Sequence, residues 1–255
     1  MKSVIRVLAL VVAVVLGAGA VTAANTRSAR SFMPVKFPAS DGKQIHGEVI
    51  GGGSVGIVIA HDADSTLAGW KPAARFLSLH GYRVLLFDYR RNPFDSQGGS
   101  YPRGTFRFDR DVAGGVRLLR RLGSRTIVLG GDGIGGLVAL VTASELGNSV
   151  AGTFTLTAGS IKGGTDSLGD RSQPDDLDAL AAVRHLETPV LFLAAGSDSN
   201  VRPLLRATAA ANKRWYRLPE AALEANGFGM SMWTVGAPWA QRARATIIAF
   251  LPSRR

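Results

Sequence analysis

From residue 55 to residue 251 the chain alternates short apolar runs with longer segments whose apolar positions fall three or four residues apart. The runs are Gly56–Ala60, Arg83–Asp88, Thr126–Gly130, Val150–Thr157 and Pro189–Ala195, and Arg214–Leu218 reads as a further, less apolar strand. An apolar run this short, without alternation, suits a strand covered on both faces. Between them, one segment carries Leu67, Trp70, Ala74 and Leu77 at helical spacing and closes at Gly81. Further helices are expected over 106–122, 134–146, 178–186, 203–211 and 239–251, the first two ended by Gly123 and Gly147. Strand and helix in strict alternation mean parallel βαβ units, so the predicted fold is α/β with a doubly wound, mostly parallel sheet. Ahead of it, Phe32–Pro38 and Gln44–Ile50 flank the turn Ser40-Asp41-Gly42-Lys43 and predict an N-terminal β-hairpin. Residues 32–252 read as one domain, followed by a basic tail at 253–255.

The first 24 residues predict a compartment. Lys2 and Arg6 make a positive start, Val7–Leu16 is unbroken apolar sequence, and small residues lead to Ala23 and Ala24. That is the pattern of a secretory signal peptide. Read to Ala24, the apolar stretch reaches about 18 residues, long enough for an uncleaved membrane anchor. Either way the folded part is expected outside the cytoplasmic membrane, secreted or anchored, with 25–31 as a linker. The chain has no cysteine, which removes disulfides, thiolate metal sites, cysteine nucleophiles and a lipid-modified N-terminus. Its bias towards Ala, Arg and Gly points to a bacterium of high genomic GC content.

The net charge is +11, from 30 Lys and Arg against 19 acidic residues, which suits an anionic partner such as a cell-envelope surface. The densest basic groups are Arg117, Arg120 and Arg121 on one predicted helix, and Arg242, Arg244, Arg254 and Arg255 near the C-terminus. No recognition helix or aromatic-interleaved RNA-binding motif accompanies them, so nucleic acid is not an expected partner.

Three segments narrow the class. His61-Asp62-Ala63-Asp64 follows a strand and precedes Trp70; it resembles the HG-x-x-G oxyanion loop of the α/β hydrolases. Gly81–Arg90 (GYRVLLFDYR) resembles their next strand and turn. Gly130-Gly131-Asp132-Gly133-Ile134-Gly135-Gly136 resembles their nucleophile elbow and the start of its helix. The resemblance to the α/β-hydrolase superfamily spans about residues 35 to 251. Where such hydrolases insert a lid, residues 158–176 are polar and glycine-rich with no apolar face, so little or no lid is expected.

The triad positions that this resemblance implies hold unsuitable residues. Aligned on its C-terminal glycines, the elbow reads Gly131-Asp132-Gly133-Ile134-Gly135, and Gly133, at the nucleophile position, has no side chain. Counted from the strand instead, Asp132 takes that position, as the aspartate nucleophile does in haloalkane dehalogenases and epoxide hydrolases. The histidine position, in the loop Glu224–Met230, is Asn226, which hydrogen-bonds but does not shuttle protons near neutral pH. The acid position is Asp198 or, one residue on, Ser199. Of the four histidines, His46, His80 and His185 read as structural, and His61 as a residue that shapes the oxyanion loop.

The oxyanion donors implied are the backbone N–H groups of Ala63 and Ile134. Asp62, Asp64 and Asp132 map to the same carboxyl edge of the sheet, with Asp198 near, which suits a small cationic or amine ligand; otherwise each carboxylate caps a helix or turn. No histidine pair has zinc-ligand spacing, and neither a metal nor a cofactor is expected. Phe228, Met230, Met232 and Trp233 either line a pocket or pack against the sheet. The expected function is therefore that of an exported, catalytically inactive protein of hydrolase fold acting as a binding or interaction module. The alternative is a working hydrolase, esterase-like with Ser65 or Ser160 in the key role, or dehalogenase-like with Asp132 as nucleophile.

Overall fold

A computed structural model of the chain describes residues 31–62, 65–90, 107–157, 177–222 and 228–253. Eight strands form one sheet: β1 (Met33–Pro38), β2 (Gln44–Ile50), β3 (Val55–Ala60), β4 (Arg83–Asp88), β5 (Thr126–Asp132), β6 (Gly152–Leu156), β7 (Val190–Ala195) and β8 (Lys213–Leu218). Their spatial order is β1-β2-β4-β3-β5-β6-β7-β8. The hairpin β1–β2 is antiparallel, β2 runs antiparallel to β4, and every other pairing is parallel. The helices are α1 (Lys71–Leu79), α2 (Phe108–Arg121), α3 (Ile134–Leu146), α4 (Ala179–Ala182), α5 (Val201–Ala207), α6 (Phe228–Ser231) and α7 (Pro238–Phe250).

Side chains alternate across the sheet, and the two faces feed two cores. Val58, Leu85, Leu129 and Phe192 pack with α2, α3, α4 and α5 on one face. Ile57, Val84, Val128 and Leu191 pack with α1 and α7 on the other. Burying each large apolar side chain contributes about 1.5–3 kcal/mol, so both layers are needed to hold a sheet whose central strands are apolar throughout. α3 is apolar on all sides and buried from Ile134 to Ala143, as befits a helix held between the sheet, α2 and α4.

Two glycines let α3 start directly under the sheet. A Cβ on Gly135 would lie 2.0 Å from the Ala60 carbonyl oxygen, and one on Gly131 would lie 2.1 Å from that of Gly135. Backbone meets backbone here, and no side chain fits.

The observed elements differ from the sequence reading at their ends. The segment around Leu67 and Trp70 opens as a 3₁₀ turn, Leu67–Trp70, before α1. The helix expected over 178–186 is only α4 followed by a 3₁₀ turn, Val183–His185. The helix expected over 203–211 is α5, which starts two residues earlier and keeps Pro203 in its first turn, where no hydrogen bond is lost. β5 runs on to Asp132, and β6 is trimmed to Gly152–Leu156. The expected signal or anchor, most of the linker, the lid-position loop 158–176, Ala63, Asp64, Ser160 and Asn226 lie outside the described residues. Among the described residues no helix is long and apolar enough to cross a membrane.

Candidate functional site

Strand β5 ends at Asp132 and helix α3 begins at Ile134, leaving Gly133 alone to make the turn. Gly133 has φ 53° and ψ −120°, a backbone conformation that an L-residue reaches only with strain. Its N–H donates to the Leu156 carbonyl at 3.3 Å and to Thr157 Oγ1 at 3.2 Å. Thr157, at the end of β6, is the only described non-glycine residue with positive φ, at 57°. Its hydroxyl lies 3.2 Å from Asp132 Oδ1 and 2.6 Å from the Leu156 carbonyl oxygen.

The place above Gly133 is taken. A Cβ on Gly133 would lie 2.3 Å from Asp62 Cγ and 2.4 Å from each Asp62 carboxylate oxygen. Asp62 Oδ1 accepts the Ile134 N–H at 2.8 Å. The first N–H groups of a helix have no partner within it and sit at the positive end of its dipole, so a carboxylate is well held there.

The loop is fixed from below as well as above. His61 is buried, with Nδ1 2.6 Å from the Asp62 carbonyl oxygen, and that same oxygen accepts the Ser65 N–H at 3.1 Å. Tyr89 donates its hydroxyl to the His61 carbonyl at 2.9 Å and stacks on Phe108 at 4.1 Å. Burial holds the Tyr89 hydroxyl well above its ordinary pKa, and the nearby charges of Asp62, Asp111 and Asp132 push the same way, so it remains a donor.

The other residues named from the sequence fall into place around this turn. Asp132 is buried, and a Cβ on Gly229 of α6 would lie 1.9 Å from its Oδ2, so α6 closes directly over it. Asp198 accepts the Asn200 N–H at 2.9 Å, a turn-forming bond, while Ser199 is exposed. Ser65 is buried, and its hydroxyl lies 3.3 Å from both the Asp62 carbonyl oxygen and the Trp70 indole nitrogen, which is structural use. His80 ends α1 with Nδ1 2.8 Å from the Phe76 carbonyl oxygen, and His46 and His185 are exposed. Met232 and Trp233 are buried in the core, Trp233 5.6 Å from the Phe76 ring, and Met230 packs against Gly69. These side chains pack in or against the core on the α1 and α7 face of the sheet. No group of three or more His, Asp or Glu among the described residues is arranged for a metal ion.

No family model matches the chain, and no curated protein matches its sequence. Solved structures do match. An esterase of Pyrococcus furiosus is 16% identical with a TM-score of 0.63, the match covering 87% of this chain and 92% of that one. A protein described as a dienelactone hydrolase, from Klebsiella pneumoniae, is 15% identical with a TM-score of 0.60, covering 87% and 98%. The esterase domain of a Rhodothermus marinus protein is 18% identical with a TM-score of 0.58, covering 83% and 99%. The chain has the α/β-hydrolase fold.

In that fold the strained turn between strand and helix presents the nucleophile, and the N–H of the next residue serves the oxyanion. Here the left-handed backbone belongs to Gly133, with Asp132 the last residue of β5, and the next N–H is already bonded to Asp62. Sequence reasoning placed Asp62 at this edge but did not foresee its aim. The available signal was an aspartate at the second position of the segment that resembles an oxyanion loop, in a chain whose turn residue after β5, Gly133, has no side chain.

Proposed function

We propose that this is an exported protein of α/β-hydrolase fold that acts by binding and does not turn over esters. The observation that carries the reading is the Asp62 carboxylate lying where a nucleophile's side chain would stand and holding the Ile134 N–H. Ester cleavage by this fold needs a nucleophile, a base and free oxyanion donors. Gly133 supplies no nucleophile, Asn226 stands at the base position, and a donor is engaged. An oxyanion forming near Ile134 would also meet the Asp62 charge. At about 4 Å and an effective dielectric near 20, that repulsion is about 4 kcal/mol, enough to slow a reaction roughly a thousandfold. Export is supported by the charged and apolar sequence of residues 1–24.

Purified protein should hydrolyse p-nitrophenyl acetate and butyrate no faster than buffer, and a fluorophosphonate probe should leave it unlabelled. Turnover of an ester, amide or halide that vanishes in Asp132→Ala would overturn this and make Asp132 the nucleophile.

Asp62 and Asp132 flank the elbow, so the ligand class favoured at this end is a small amine or other cation. Spermidine or choline at millimolar concentration should raise the melting temperature, and Asp132→Asn should abolish the rise. A ligand at one hundred times its Kd adds about 2.7 kcal/mol to stability. Unchanged melting temperatures across a panel of amines and divalent cations would remove the cationic ligand.

A further inference from the structure

The parallel sheet gives the domain two ends, and the end opposite the elbow has its own character. Arg120 and Arg121 stand in the last turn of α2, Arg125 just before β5, Arg206 in the last turn of α5, and Lys213 and Arg214 at the start of β8. All are exposed except Lys213, which is half-buried. The loops that carry them are tied together there: Arg120 reaches the Ser149 carbonyl at 2.8 Å, and Arg83 reaches Ser124 Oγ at 3.1 Å. Glu187, just before β7, is an exposed carboxylate at this same end.

Two apolar side chains are exposed at the same end. Met33 is 50% exposed and Leu79 is 72% exposed, the only large hydrophobics left exposed among the described residues. Met33 opens β1 and Leu79 closes α1, so the direction of the strands puts both at the amino ends of the parallel strands. They are linked through the chain: Met33 pairs with Val49, and Gly51 abuts Ser78, so closely that a Cβ on Gly51 would be 2.9 Å from that of Ser78. A groove of about 500 Å³ opens beside Met33, lined by Phe32, Met33, Val49, Arg83 and Leu122. Ser31, where the chain enters the domain, also lines it, downstream of the apolar sequence 7–24.

We propose that this end of the domain docks on an anionic lipid bilayer, with Met33 and Leu79 in the headgroup layer and the arginines against lipid phosphates. The elbow then faces away from the membrane. An end of the domain that carries both exposed cations and exposed apolar side chains is what a bilayer surface selects, since hydrophobic burial and headgroup attraction act together there. Each basic residue near an anionic leaflet strengthens attachment roughly fivefold. This docking is independent of whether the elbow binds or turns over anything.

The chain has no native cysteine, so single labels are clean. Full-length protein carrying a fluorophore at Ser149→Cys (basic end) or Ser199→Cys (opposite end) is reconstituted in vesicles containing headgroup-nitroxide lipid. With phosphatidylglycerol present the Ser149 label should be quenched and the Ser199 label should not. In pure phosphatidylcholine neither should be. About 1 M NaCl, where the screening length falls to about 3 Å, should relieve the quenching, and so should combined Arg121→Glu, Arg125→Glu and Arg214→Glu. Equal quenching in both lipids, quenching of the Ser199 label, or quenching indifferent to salt would overturn the proposal. The salt titration uses the natural charges and decides even if the triple variant fails to fold.

Discussion

Asp111→Ala should lower the unfolding free energy by about 3–5 kcal/mol, a fall of about 10 °C or more in melting temperature for a domain of this size. Asp111 lies in the first turn of α2 with no exposed side-chain surface, and the Arg90 side chain beside it is 11% exposed. Arg90 Nε donates to Asp111 Oδ1 at 2.8 Å, the Arg90 N–H donates to Oδ2 at 3.0 Å, and the other side of the guanidinium holds both oxygens of Asp41, at 2.7 and 3.0 Å. One arginine thus ties the end of β4, the first turn of α2 and the β1–β2 turn. Removing Asp111 leaves a buried cation with half its partners, and that is the costly way to break such a pair. Asp41→Ala should cost about 1 kcal/mol, because the Asp41 side chain is 22% exposed and water can replace it.

Burial pushes the Asp111 carboxyl up from 3.8 to about 6 against the pull of Arg90, while the two carboxylates hold Arg90 above its ordinary value. The pair is ionised at neutral pH, and its bonding is that of a charged pair. With a folded pKa above the unfolded one, the folded state takes up a proton first as pH falls. Wild type should therefore gain on Asp111→Ala between about pH 7 and pH 4. Denaturation at pH 7.5 in which both aspartate variants lose less than about 1 kcal/mol would show that Arg90 finds its stability elsewhere.

The fold was legible because its signals are local. Each buried strand is a short apolar run, and α3 matches its expected span because a glycine turn opens it and Gly147 closes it. Segment 178–186 was misjudged because nine residues with one Asx cap, Asp178 to the Ala181 N–H at 2.9 Å, cannot tell an α turn from a 3₁₀ turn by spacing. The Arg90 hub was illegible: Asp41, Arg90 and Asp111 belong to three elements, and nothing in the spacing of the chain joins them. At the site, residue types alone showed what Gly133 lacks. That Asp62 fills the gap depends on β3 pairing with β5, Ala60 opposite Gly131, across a separation of 72 residues between Asp62 and Ile134. Such a contact is set by the sheet, not by any motif.

That contact makes Asp62 and Gly133 one energetic unit, with a definite signature. Asp62→Ala alone removes the acceptor of the Ile134 N–H and should cost about 0.5–2 kcal/mol, the range of a lost helix cap. Gly133→Ser alone must place a Cβ where the Asp62 carboxyl now lies and hold serine at φ 53°. The backbone strain contributes about 1–3 kcal/mol. The carboxyl group must also swing aside, since it is the movable partner in a 2.3 Å contact, and so it gives up the same Ile134 bond. With that bond already lost, Asp62→Ala should cost almost nothing in the Gly133→Ser background. The double variant should therefore be more stable than the sum of the single losses predicts, by about 1 kcal/mol. Urea denaturation of the four proteins at one pH measures this directly. Strict additivity would mean that the Asp62 carboxylate is not what fills the elbow. Neither serine variant should gain esterase activity, since a hydroxyl without a base remains a poor nucleophile, and Asn226 supplies no base.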